Sequence, residues 1–171
     1  MMEIGIIFYS QTGNTAIVAQ KLLEKFKDGG YAASLEQITI SGNTPAQPGK
    51  FELTDLPRVE EYDAIVLGSP VQAFALNPVM KAYLATLPVM AEQKAACFVT
   101  KQLPLFKTGG TQAIKYMEKT CASKGMVIVR SEIVVWSKGK NRDQSICHAV
   151  ENLSHAVLSS LLTLDNGPVG C

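Results

Sequence analysis

Residues 4–15 read I-G-I-I-F-Y-S-Q-T-G-N-T, a nearly unbroken apolar run followed at once by small hydrogen-bonding side chains and a glycine. A short continuous apolar run marks a strand covered on both faces, as the strands of parallel sheets are. Behind it Val18, Leu22 and Phe26 recur at a spacing of four, one stripe of a helix. Residues 10–15 therefore join the carboxyl end of a strand to the start of a helix. Such a loop presents backbone N–H groups without intrahelical acceptors at the positive end of the helix dipole, a ready anion site. Ser10, Thr12 and Thr15 add hydroxyls, and Gly13 lets the backbone bend close to a guest. Two readings stand at this point: a hydroxyl that caps the helix, or several donors that hold a phosphate. A cap uses one hydroxyl of the three. The P-loop pattern G-x-x-x-x-G-K-S/T and the dinucleotide fingerprint G-x-G-x-x-G are both absent.

The same alternation runs along the chain. Short apolar runs recur at 64–68 and 96–100, with a weaker strand candidate at 31–38 and a longer one, rich in β-branched residues, at 126–136. Between them lie helical stripes. Pro78, at a helix start, precedes Met80, Tyr83, Leu84 and Leu87. Residues 110–124 carry Ile114, Met117 and Cys121, and 143–162 carry Ile146, Val150, Leu153, Val157 and Leu161. Strand–helix alternation predicts right-handed βαβ units and a three-layer α/β fold, a doubly wound five-stranded parallel sheet in one domain over residues 1–171. Residues 39–60 depart from it, with three prolines, two glycines and no helical period. An irregular or very short helix is expected there.

With 171 residues, 47% hydrophobic and 18% charged, the composition is that of a globular domain. A net charge of +1 and a pI near 7.6 supply no field to recruit nucleic acid. No apolar stretch approaches the roughly 20 residues of a membrane helix, and the first apolar run is too short for a secretory signal core. The cysteines Cys97, Cys121, Cys147 and Cys171 form no C-x-x-C pair or zinc spacing. A reduced, cytoplasmic protein is expected, with Cys97 and Cys121 buried. His148 and His155 are read as partly exposed helix residues rather than metal ligands, and no catalytic triad or carboxylate pair is evident.

In doubly wound sheets ligands sit outside the carboxyl ends of the strands, where the winding reverses. Three loops should converge there: residues 10–15, 68–78 (G-S-P-V-Q-A-F-A-L-N-P) and 100–111 (T-K-Q-L-P-L-F-K-T-G-G-T). Small polar groups interleaved with apolar side chains make walls for a flat heteroaromatic guest.

On these residues the chain resembles the flavodoxins and flavodoxin-like flavoproteins, over essentially its whole length. S-Q-T-G-N-T is similar to the family's FMN-phosphate pattern S/T-x-T-G-x-T, and Gly68-Ser69-Pro70 to the start of its second flavin loop. The resemblance implies strand order 2-1-3-4-5 and FMN as cofactor. It implies that Ser10, Gln11, Thr12, Gly13, Asn14 and Thr15 bind the phosphate. Ser69, Pro70, Val71, Gln72, Ala73 and Phe74 would line one face of the isoalloxazine. Thr100, Lys101, Gln102, Gly109 and Gly110 would contact the ribityl chain and the pyrimidine edge. The chain also departs from the family. Flavodoxins are strongly acidic and usually sandwich the flavin between Trp and Tyr; here the aromatics of the second and third loops are Phe74 and Phe106. Trp136 is read as core, and Lys101 and Lys107 as a solvated loop edge. A response regulator is excluded, because Phe8-Tyr9-Ser10 lacks the acidic pair that would hold Mg²⁺.

The first functional reading is an electron carrier between redox partner proteins, expected to be a monomer. The alternative is an FMN-dependent NAD(P)H:quinone-type oxidoreductase, expected to be a homodimer, which the long third loop and the lack of acidic bias favour. A non-redox binding module on the same fold is the third.

Overall fold

A computed structural model describes residues 1–42, 50–102, 107–136 and 140–165. The opening run forms β1 (Glu3–Phe8), whose side chains alternate between two cores: Ile4, Ile6 and Phe8 enter one, and Ile7, with Tyr9 just beyond the strand, the other. It is followed by α1 (Asn14–Asp28) and β2 (Ala32–Gln37). The later elements are β5 (Ala64–Gln72), α2 (Pro78–Thr86), β7 (Lys94–Lys101), α3 (Lys107–Ser123), β8 (Val127–Val135) and α4 (Lys140–Asp165).

Five parallel strands run β2-β1-β5-β7-β8, the expected order once short strands are set aside. Each face carries helices. Val18, Leu22 and Phe26 of α1 and Ile146, Leu153 and Val157 of α4 bury one core. Met80, Tyr83 and Leu84 of α2 with Ile114, Met117 and Cys121 of α3 bury the other. The helix stripes read from the sequence are thus the buried faces. At the start of α2, Pro78 occupies the first turn and the Asn77 side chain accepts a hydrogen bond from the Val79 N–H at 2.8 Å.

Two segments differ from expectation. Between β2 and β5, β3 (Thr39–Ser41) and β4 (Glu52–Asp55) pair antiparallel, and a single 3-10 turn follows at Val59–Glu61. Residues 43–49 lie outside the described residues. The hairpin forms because Ile40, Phe51 and Leu53 reach the α2/α3 core from extended backbone, which no helical period could have arranged. Second, β5 runs beyond residue 68 to Gln72 and turns back as β6 (Ala75–Leu76), Val71 pairing with Leu76 and Gln72 with Ala75. Pairing of Pro70 with Thr100 across β5 and β7 holds the extension in the sheet.

Cys97 and Cys121 are fully buried against each other's elements. A hydrogen bond to Cys121, then burial, pushes the Cys97 thiol well above its ordinary range. Trp136 is half-buried against the α1/α4 core, with the Arg142 guanidinium 5.5 Å from its ring centroid. His148 and His155 are exposed. No helix among the described residues is long and apolar enough to cross a membrane, and none of their side chains form a metal-binding group.

Candidate functional site

Seen from the carboxyl ends of β1, β5 and β7, three segments enclose a cleft of about 400 Å³. It lies where the winding reverses, β1 being flanked by β2 on one side and β5 on the other. Gln11, Thr12 and Asn14 line it from the first segment, Pro70, Val71, Gln72, Ala73 and Phe74 from the second, and Thr100, Lys101, Gln102 and Gly109 from the third. Ser10, Gly13, Thr15, Ser69 and Gly110 do not line it, and each has a different role.

In the first segment Gly13 adopts φ +92, a left-handed conformation that favours glycine. A Cβ there would meet nothing within 4 Å, so the requirement is conformational. The Ser10 hydroxyl accepts hydrogen bonds from the Gly13 N–H at 3.1 Å and the Ala16 N–H at 3.3 Å. Ser10 is therefore the residue that braces the first turn of α1. The amides of Asn14 and Thr15, the first two helical residues, have no acceptor within the helix. Gln11 and Thr12 are exposed, while Thr15 is buried, its hydroxyl 2.8 Å from that of Thr100.

The second segment is the β5–β6 hairpin. Its two turn residues, Ala73 and Phe74, have φ of 47 and 61. Positive φ at both central residues is the requirement of a type I′ turn, normally met by Asn-Gly. Here an alanine and a phenylalanine carry the strain, and Phe74 stands 62% exposed at the cleft mouth. Asn77, fully buried, donates to the Gln72 side chain at 2.7 Å and so orients it. Sequence reading left Asn77 out of the site, although an Asn directly before a helix-opening proline is a capping signal. Ser69 is buried, and its hydroxyl donates to the Pro70 carbonyl at 3.1 Å.

The third segment leaves β7 and re-enters as the first turn of α3; residues 103–106, Phe106 among them, lie outside the described residues, as does the Lys107 side chain. Gly109 and Gly110 permit close approach. A Cβ on Gly109 would sit 3.1 Å from the Phe74 Cα, and one on Gly110 3.0 Å from Ile133 Cγ2. Lys101, half-buried rather than at a fully solvated edge, is the one charged residue among the described residues that line the cleft. The cleft thus combines residues of a helix start and their hydroxyls with an apolar turn.

No protein-family model matches the chain. A protein of Archaeoglobus fulgidus named as an NAD(P)H dehydrogenase (quinone) is 27% identical over 150 residues, covering 75% of this chain and 76% of its own. Among solved structures, a flavodoxin, WrbA-like protein of Agrobacterium tumefaciens superimposes with a TM-score of 0.66 at 13% identity, covering 92% of this chain and 99% of its own. The fold is that of the flavodoxins. A flavoprotein of Lactobacillus acidophilus, solved in complex with FMN, shares this flavodoxin fold with a TM-score of 0.60 and 17% identity, over 87% of this chain and 99% of its own.

Proposed function

We propose that the chain binds FMN in this cleft and passes electrons between redox partner proteins. One observation carries the reading: the start of α1, whose first amides have no acceptor within the helix, and the apolar β5–β6 turn line one cleft of about 400 Å³, within the range of small-molecule sites. The Asn14 and Thr15 amides and the Thr12 hydroxyl would hold the phosphate on the α1 dipole. The wall from Pro70 to Phe74 would cover one face of the ring system, with Phe74 as its aromatic element. Lys101 adds a positive charge, favourable to an anionic guest. Gln102 and Gly109 complete the side facing the ribityl chain and pyrimidine edge, with Gly110 buried behind them. Bound flavin supplies one- and two-electron chemistry, while the protein sets its orientation and potential.

A second reading, hydride transfer from NAD(P)H to a quinone-type acceptor, is favoured by the name of the Archaeoglobus relative. Titration of flavin-free protein with FMN, followed by flavin fluorescence, tests both. Saturable quenching near one FMN per chain is the expected result. Anaerobic NADPH that then bleaches the bound flavin selects the reductase; flavin that stays oxidised selects the carrier. Absence of quenching would overturn both and leave a binding module.

A further inference from the structure

The hydroxyls of Thr15 and Thr100 lie 2.8 Å apart, at 1% and 4% exposure. Each carries one proton and their mutual bond uses one, so the pair holds a spare buried donor. Neither hydroxyl makes another hydrogen bond among the described residues. Leaving such a donor unmet is unfavourable, so it calls for an acceptor. Of the two, Thr100 lines the cleft, and Thr15 stands behind it on the first turn of α1.

We propose that Thr100 presents the hydroxyl that binds the phosphate, and that Thr15 is its positioning residue. The inference rests on the FMN reading above. Thr15 donates to Thr100 Oγ1, which fixes the rotor of Thr100 and turns its proton into the cleft that Asn14 also lines. The reverse ordering would aim hydroxyl lone pairs at an anion and is disfavoured by it. Polarisation along the two-bond chain strengthens the terminal donor. The last threonine of the S-Q-T-G-N-T string then contributes its amide directly and its hydroxyl only through strand β7.

The test is a set of dissociation constants for FMN and riboflavin with the wild type, Thr15→Val, Thr100→Val, Thr100→Ser and the double valine variant. Thr100→Val should weaken FMN about tenfold, the worth of one hydrogen bond to a charged group, with riboflavin within about twofold. Thr100→Ser should restore FMN binding. Thr15→Val should cost less than Thr100→Val, and add nothing in the double variant. The double variant replaces both partners by apolar groups of similar shape, which keeps its fold close to that of the wild type. Thr15→Val costing as much as Thr100→Val, additive losses, or equal loss of both flavins would overturn the proposal. A wild type that binds neither flavin would overturn the functional reading itself.

Discussion

Gly109, in the first turn of α3, approaches Phe74 so closely that an added Cβ would lie 3.1 Å from the Phe74 Cα and 3.4 Å from its carbonyl carbon. The neighbour is backbone, and that backbone is already held in a tight turn. Gly109→Ala should therefore displace the cleft wall by a few tenths of an ångström. Alanine is the better helix former by about 1 kcal/mol, which offsets the overpacking. Stability should change by less than about 1 kcal/mol, while FMN affinity falls on the order of tenfold. Denaturant unfolding and flavin titration on one preparation check this; unchanged affinity would separate the turn from the flavin.

Ala73 has φ 47 in the same turn, a conformation that raises the energy of an L-residue by about 1–2 kcal/mol. Glycine removes that strain and gives back part of the gain through the greater freedom of the unfolded chain. Ala73→Gly should stabilise the protein by about 0.5–1 kcal/mol, read as an upward shift of the denaturation midpoint. A loss of stability would mean that the turn is not strained.

Gly68, midway along β5, faces the Phe98 ring of the neighbouring strand, and a Cβ there would lie 2.2 Å from Phe98 Cζ. Both residues are buried on central strands, where close packing leaves the ring little room to retreat. Gly68→Ala should destabilise by about 1–3 kcal/mol. Adding Phe98→Leu should recover part of that loss, a coupling that thermal unfolding of the two single variants and the double variant would reveal.

Burial, and then the hydrogen bond its hydroxyl donates to Glu36 at 2.7 Å, pushes the Tyr62 phenol from 10.0 up to about 12. The folded state thus keeps a proton that the unfolded chain releases. The stability this contributes is complete below pH 10 and is lost as pH rises from 10 towards 12. Tyr62→Phe should reduce the fall of stability over that window, and lower stability by about 1 kcal/mol below it through loss of the Glu36 bond. Tyr83, also raised from 10.0 and by burial first, keeps a residual slope in the variant that begins in the same window and continues beyond it. Urea midpoints measured across alkaline pH for wild type and variant check both statements.

The elements β1, β7 and α1 were legible because continuous apolar runs and stripes at spacing four are one-dimensional signals of burial, although β7 begins two residues before its apolar run. The β3–β4 hairpin was not. Its apolar residues Ile40, Phe51 and Leu53 are few and separated by prolines and glycines, and only the α2 side of the core gives them a common face. The β5–β6 turn was equally hidden, since Ala-Phe is no turn signal and the pairing that imposes positive φ on it comes from neighbouring strands.

What the sequence by itself determined is local: which runs become strands, where helices begin, and that a glycine-bearing loop rich in hydroxyls leaves the carboxyl end of β1. Tertiary structure alone decided which of those hydroxyls meets a distant partner and which is left in the cleft. Ser10 turns back onto its own amides, Thr15 meets a partner 85 residues away on β7, and Thr12 is left exposed in the cleft. Hydroxyl direction depends on which partner lies within hydrogen-bond reach: Ser10 finds its partners in its own loop, whereas the strand order of the sheet brings Thr100 to Thr15.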